Sequence, residues 1–202
     1  MKGNSEKGKV LKLIRNSLLE KADIPYSNLD MDANIYAPIN DDPVMVFAES
    51  IVGNGGKFVY CKDEEDMINK LQSLIEYRNW SNQILSYSNG LQDFLITNGI
   101  HTKTIKKEKP EVGITLCHSV SARNSIITIT SKQVDNNDFI KLPNILIVIS
   151  FTSQIEKDLR TSLNQLSKEM PTFITTLNPN YLLKEEIKEL YLFTVENIIQ
   201  TN

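Results

Sequence analysis

Cysteine, histidine and tryptophan are scarce in this chain, whose 202 residues include two cysteines, two histidines and one tryptophan. Two cysteines cannot staple a chain of this length or hold an iron–sulfur cluster alone. The four residues Cys61, His101, Cys117 and His118 show neither CxxC nor HxxxH spacing, so no zinc site is predicted. No flavin or nicotinamide fingerprint is present either. The sequence therefore predicts a reducing, cytoplasmic compartment with no metal and no cofactor.

Long apolar runs and an excess of positive charge are also missing. No run approaches the roughly 18–20 apolar residues that span a bilayer, and residues 1–21 are too charged for a signal peptide. The net charge is −3 and the isoelectric point about 5.5, whereas nucleic-acid binding favours a basic face. We therefore expect no membrane and no nucleic-acid partner. A hydrophobic content of 41% is enough for a sizeable core.

Two regions are predicted from the periodicity of the chain. Residues 5–22 have apolar residues at helical spacing, and residues 23–43 are rich in proline and asparagine, so residues 1–42 are expected to form an N-terminal helical arm. From residue 43 to 202, helical and strand-like segments alternate. The predicted strands are KFVYC, ILSYS, EVGITLC, SIITITS, NILIVIS, TFITT and LYLFTVE.

This alternation is typical of βαβ units, and we expect an α/β domain with a mostly parallel sheet flanked by helices. NILIVIS is apolar at nearly every position, as expected of a central strand covered on both faces. Sheets of this kind bind ligands at the carboxyl ends of their strands. That rule gives a location and names no substrate.

Motif-level detail is concentrated in residues 111–150. A V-G-I-T strand is followed by an alanine at a fixed spacing and then by an L-P element that leads into a β-run. The matching residues are Val112, Gly113, Ile114, Thr115, Ala122, Leu142, Pro143, Ile147 and Ile149. In these elements the chain resembles the lactate-utilization protein C family, which is built on the LUD domain.

The resemblance implies a fold similar to that of ribose-5-phosphate isomerase, glucosamine-6-phosphate deaminase and the coenzyme A transferases. It also implies an accessory role in bacterial L-lactate oxidation to pyruvate, beside iron–sulfur partner proteins. On this interpretation the chain binds a small organic anion or a partner and carries no redox chemistry itself. Whether the chain forms a homo-oligomer is left open.

The chain departs from the family pattern at three places. The family's A-E-T-G is Ala122-Arg123-Asn124-Ser125 here, and the histidine of its L-P-x-x-H run is Leu146. The glycine-containing turns near the family's C-terminus are replaced by TTLNPNYLLKEEIKEL, which has no glycine. Glycine at such turns lets backbone approach a phosphate or adopt positive φ. A remodelled site is therefore expected.

Four residues form the predicted anion pocket: Thr115, Arg123, Asn124 and Ser125. Arg123 precedes a predicted strand, and its guanidinium suits a carboxylate or phosphate; the alternative is a structural ion pair. Asn124 and Ser125 could supply hydrogen bonds to the same anion or cap a turn. Thr115 either faces the pocket or bonds the next turn.

Three functions stay open at this stage. The first is the accessory role that the resemblance implies. The second is an enzyme acting on a phosphorylated or coenzyme A-linked metabolite, by analogy with the wider fold. The third is a degenerate, non-catalytic binding module. Neither a convincing acid/base pair in the matched motif nor a thiolate–imidazole pair at Cys117 and His118 is predicted, because neighbours on a strand point to opposite faces.

Overall fold

The computed structural model describes residues 38–81, 83–102, 110–135 and 142–196. The predicted helix at residues 5–22, and nearly all of the predicted arm at residues 1–42, lie outside the described residues. The fold below is that of the unit spanning residues 39–202.

Helices and strands alternate along the described chain. In chain order, the elements are α1 (Pro43–Gly53), β1 (Lys57–Cys61), α2 (Glu64–Arg78), β2 (Ile84–Ser86), α3 (Asn89–Thr97), β3 (Val112–Leu116), β4 (Ser119–Ser121), β5 (Ile127–Thr130), β6 (Ile145–Phe151), β7 (Ile155–Glu156), α4 (Leu159–Glu169), β8 (Ile174–Leu177), α5 (Pro179–Glu185) and β9 (Glu189–Val195).

Five strands form a parallel sheet in the order β1-β9-β6-β3-β2. All four strand pairs are parallel, which confirms the predicted α/β class. The continuous apolar strand β6 lies in the middle, as its sequence predicts, because both of its faces are covered by core.

Side chains of successive residues on each strand enter two different hydrophobic clusters, one on each face of the sheet. Ile147 of β6 belongs to a cluster with the apolar faces of α2 and α3. Its neighbour Val148 belongs to a second cluster, which holds residues of α1, α5 and the strands β4, β5 and β8. The parallel sheet is therefore the middle layer of three.

The third layer contains a second, smaller sheet in the order β7-β4-β5-β8. Strand β5 pairs antiparallel with both β4 and β8. The predicted strands SIITITS and TFITT thus belong to this second sheet, in which β4 also pairs in parallel with β7. Ile127 and Ile129 face the core, and Thr128 and Thr130 point the other way.

Polar caps set the starts of the helices. The carboxylates of Asp63 and Asp158 accept hydrogen bonds from backbone N–H groups three residues ahead, at 2.8 and 2.9 Å, and the hydroxyl of Ser88 does so at 3.1 Å. Helix α2 ends at Asn79, which adopts a left-handed conformation (φ 57°). The caps at Asp63 and Ser88 fix where α2 and α3 begin, just beyond the carboxyl ends of β1 and β2.

Candidate functional site

The chain leaves the parallel sheet in opposite directions after two neighbouring strands. After β2 it enters α3, which packs on one face, and after β3 it enters β4, which packs on the other. Ligands of open α/β sheets bind at the carboxyl edge at such a change of direction. The structure has a cleft at this edge.

This carboxyl-edge cleft has a volume of about 190 Å³ and is enclosed by the ends of β3 and β6 and the first turns of α2 and α3. The strands contribute Leu116, Ile149 and Phe151. Helices α2 and α3 contribute Met67, Leu91 and Phe94 to the apolar walls and Glu64 and Gly90 to the rim.

The lining determines what the cleft can do. Phe94, Leu116 and Phe151 are half-buried, so apolar surface remains open to a ligand. Among the described lining residues, Glu64 alone carries an ionisable side chain. General acid–base or nucleophilic catalysis needs positioned groups that cooperate. The cleft is therefore suited to binding an apolar group.

Gly90 marks an accessible point on the rim. A Cβ atom built there has no heavy atom within 4 Å, and the backbone φ is not in the left-handed region. A larger side chain at this position therefore fits the backbone and projects into open space. This makes Gly90 a useful position for testing the cleft by substitution.

Thr115 lies on β3 of the parallel sheet and is fully buried. Its hydroxyl donates a 2.9 Å hydrogen bond to the carbonyl of Leu116. The Thr115 hydroxyl is thus bonded locally, within its own strand.

The other three predicted site residues share one turn, between β4 and β5 of the smaller sheet. Asn124 is exposed, and its side-chain oxygen accepts a 2.6 Å hydrogen bond from the hydroxyl of Ser121. Ser125 is fully buried, has φ 49°, and its hydroxyl accepts a 3.0 Å hydrogen bond from Asn54. None of the described hydrogen bonds joins this turn to Thr115.

Arg123 lies beside the start of α4. Its backbone N–H donates to the carbonyl of Lys157 at 3.3 Å. The pKa of Asp158, the N-cap of α4, is lowered chiefly by the hydrogen bond from the backbone N–H of Thr161, and the charge of Arg123 adds to this effect. Arg123 thus has a carboxylate neighbour within its own domain.

Cys117 and His118 have different partners. The Cys117 thiol lies 3.8 Å from the side-chain oxygen of Gln154, while the imidazole of His118 lies 3.1 Å from Ser119 and 3.4 Å from Glu169. Burial raises the pKa of Cys117 to about 12, so it is a neutral thiol at physiological pH.

Only 9% of the His118 side chain is exposed. The helix α4 covers it, through the contact with Glu169 and a hydrogen bond between Ser119 and Ser162. Ser119 is itself buried and cannot meet a substrate as a nucleophile.

Neither a metal site nor a membrane-spanning helix is found in the described residues. Within the described ranges, no group of three or more histidine, cysteine, aspartate and glutamate side chains is arranged to hold a metal ion. None of the helices in the described part of the chain is both long and apolar enough to cross a membrane.

Comparison with known proteins supports the fold. No family model and no curated protein matches the sequence. A solved structure that resembles the chain is that of a DUF162 family protein from Deinococcus radiodurans, with a TM-score of 0.62 and 12% sequence identity. The match covers 76% of this chain and 96% of the other. At this identity the likeness concerns the fold alone.

Glu64 and Gly90 were not selected as site residues by the sequence analysis, because the motif-level detail lies in residues 111–150. Glu64 and Gly90 each follow closely after a predicted strand, KFVYC or ILSYS. The rule that ligands bind beyond the carboxyl ends of parallel strands was a signal that could have selected both positions.

Proposed function

We propose that this protein binds a small molecule in the carboxyl-edge cleft and has no catalytic chemistry of its own there. One observation carries the proposal: an apolar cavity lies at the carboxyl ends of the central strands, with one ionisable lining residue, Glu64, among those described. Ligand sites are generally concave, mostly apolar and provided with a few polar groups. The cleft has these properties, and its volume of about 190 Å³ suits a compact ligand.

The cellular role we propose is that of a cytoplasmic accessory protein for L-lactate oxidation, acting beside iron–sulfur partners. Support comes from the resemblance of residues 112–115 and 142–149 to the lactate-utilization protein C family. The similarity of fold to a DUF162 family protein, which agrees with the fold expected from that resemblance, adds to it. Co-purification of the full chain with iron–sulfur lactate-oxidation subunits tests this role, and failure to co-purify would argue against it.

A thermal-shift screen of the full chain tests the binding function. The panel holds L-lactate, pyruvate, coenzyme A and its acyl forms, sugar phosphates, and compact aromatic and aliphatic compounds. A ligand at a hundred times its Kd stabilises the fold by about 2.7 kcal/mol. At about 2–4 °C per kcal/mol for a chain of this size, the expected rise in Tm is several degrees.

Two glycine variants decide where a ligand binds. Gly90→Phe adds a ring to a residue that lines the cleft. Gly53→Phe is the matched control, because a Cβ at Gly53 also meets nothing within 4 Å. The proposal expects a ligand-induced shift that Gly90→Phe abolishes and Gly53→Phe keeps. A shift that both variants keep would place the ligand elsewhere and contradict the proposal.

An anion site at the turn 122–125 is the second candidate, and it would revive an enzyme acting on a phosphorylated or coenzyme A-linked metabolite. The nearness of Arg123 to the start of α4 favours it, since helix N-termini attract anions. Arg123→Ala tests this candidate. Loss of a phosphate- or coenzyme A-induced shift in this variant, with the shift retained in Gly90→Phe, would favour the second candidate over the first.

A further inference from the structure

The carboxyl-edge cleft opens beside a second, larger and more polar cavity. A groove of about 700 Å³ runs between α2 and α3 and shares two lining residues with the cleft, Glu64 and Phe94. The groove also has carboxylates from Asp63 and Glu65 on its wall. An apolar compartment thus adjoins an acidic one, and Glu64 stands at their boundary.

The acidic side chains at the start of α2 differ in whether they have a hydrogen-bond or ion-pair partner. Asp63 caps the helix by accepting from the N–H of Asp66 at 2.8 Å, and Asp66 forms an ion pair with Lys70 at 2.7 Å. Glu64 and Glu65 are exposed, and neither carboxylate pairs with another residue in the described ranges. Glu64 is therefore available to a ligand in the cleft, and Glu65 to a ligand that extends into the groove.

We infer that this site takes an organic cation with one compact apolar group, such as an aralkyl or branched alkyl amine. The inference rests on the proposed binding function and specifies its ligand class. The apolar group would occupy the cleft, since an apolar cavity of about 150 Å³ can hold a benzene ring. The ammonium group would then lie beside Glu64, with Glu65 further along the groove.

An organic anion does not suit this site. It would meet the carboxylates of Asp63, Glu64 and Glu65, and the N-termini of α2 and α3 offer only about half a positive charge each in compensation. The same carboxylates attract a cation. Charge therefore discriminates between ligands of the same shape, and apolar burial discriminates between amines of different size.

Three ligands of similar shape test the inference: 2-phenylethylamine, 2-phenylethanol and 3-phenylpropionate, titrated into the full chain and followed by two-dimensional NMR. Compact fragments of this size bind at about millimolar Kd. We expect the amine to bind most tightly, the alcohol more weakly and the carboxylate least. Raising the ionic strength should weaken binding of the amine and leave that of the alcohol nearly unchanged.

Matched variants locate the interaction. Glu64→Gln should weaken binding of the amine about two- to fivefold, as expected for a partly exposed ion pair, without affecting the alcohol. Glu65→Gln is the control and should have a smaller effect, because Glu65 lines the groove but not the cleft. Gly90→Phe should remove binding of both the amine and the alcohol.

The outcomes separate this inference from the proposed function. If 3-phenylpropionate binds as tightly as the amine and Gly90→Phe removes both, the cleft is a binding site but the preference for cations is wrong. If none of the three ligands binds, the inference is overturned, and the thermal-shift panel decides the proposed function separately. If the ligands bind and Gly90→Phe leaves their binding unchanged, both the inference and the proposed use of the cleft are overturned.

Discussion

Gly113 and Pro143, which belong to different sequence motifs, lie in direct contact. A Cβ atom built on Gly113 would be 2.9 Å from Cγ of Pro143 and 2.7 Å from Cε2 of Tyr87. The glycine of V-G-I-T is therefore needed for close packing, since its φ is not in the left-handed region. This contact gives a physical reason why the V-G-I-T and L-P elements occur together.

Gly113→Ala should destabilise the fold by about 1–3 kcal/mol, because the added methyl group overpacks the contact with Pro143 and Tyr87. Gly90→Ala is the matched control and should stabilise it by about 0.5–1 kcal/mol, because alanine has the higher helix propensity and its Cβ has free space. Urea denaturation with an unchanged slope would measure both effects. Equal stability of the two variants would show that Tyr87 and Pro143 yield without cost.

Ser125 stands where the resembling family has glycine, and its φ of 49° is in the left-handed region that glycine favours. Its hydroxyl accepts a 3.0 Å hydrogen bond from Asn54. Ser125→Ala loses this bond and keeps the strained backbone, so we expect a loss of about 1 kcal/mol. Ser125→Gly also loses the bond but relieves the strain, and it should be more stable than Ser125→Ala in the same urea experiment.

A double-mutant cycle with Asn54→Ala isolates this hydrogen bond from other effects of either substitution. The coupling energy expected between Asn54 and Ser125 is about 0.5–1.5 kcal/mol. Additive effects would mean that the amide and the hydroxyl contribute independently. In that case the left-handed conformation of Ser125 would need another explanation.

The sequence was sufficient to predict the parallel sheet and its central strand, because the run NILIVIS is apolar at nearly every position. It also contained an unused signal for the second sheet. In SIITITS, Ile127 and Ile129 alternate with Thr128 and Thr130, the pattern of an antiparallel strand with one apolar face. Helix α5 was missed because its seven residues are too few for a clear period.

The candidate site was harder to predict than the fold. The cleft depends on how the first turns of α2 and α3 approach the ends of β3 and β6, which are far apart in sequence. Local sequence patterns carry no information on how closely residues so far apart in sequence approach one another. The sequence also left the distance between Cys61 and Cys117 open; the structure places them in different hydrophobic clusters, on opposite faces of the parallel sheet.

Both cysteines should resist alkylation in the folded protein. Burial raises the pKa of Cys61 to about 11 and that of Cys117 to about 12, so thiolate is scarce at pH 8. We expect slow labelling by iodoacetamide in buffer and rapid labelling of both residues in denaturant. Rapid labelling of either residue without denaturant would show that its surroundings open readily.

The raised cysteine pKa values also predict a loss of stability at alkaline pH. In the unfolded chain a thiol ionises near pH 8.5, whereas the folded chain keeps its proton up to about pH 11. The unfolded state therefore gains from ionisation first, and stability falls as pH rises above about 8.5. Cys61→Ser and Cys117→Ser, if folded, should each reduce the slope of stability against pH in this range.

Glu189 should make stability sensitive to acid. Its carboxylate pairs with Lys57 and Arg78 and accepts a 2.8 Å hydrogen bond from the hydroxyl of Tyr191. Burial alone would raise the pKa of Glu189, but the hydrogen bonds from Lys57 and Tyr191 outweigh it and lower the pKa below its ordinary value. The folded state therefore holds the ionised form more firmly than the unfolded state does.

Because the folded-state pKa is depressed, this contribution is fully present above the unfolded value of about 4.3 and is lost as pH falls through the folded value. Glu189→Gln should lower stability at neutral pH by about 1.5 kcal/mol, the low end for a hydrogen bond to a charged group, since 22% of its side chain is exposed. Its stability should also fall less steeply below about pH 4.5. Glu49→Gln, at an exposed position on α1, is the control and should change neither quantity. If stability falls with the same slope below about pH 4.5 in Glu189→Gln and in the unsubstituted protein, other carboxylates govern acid unfolding.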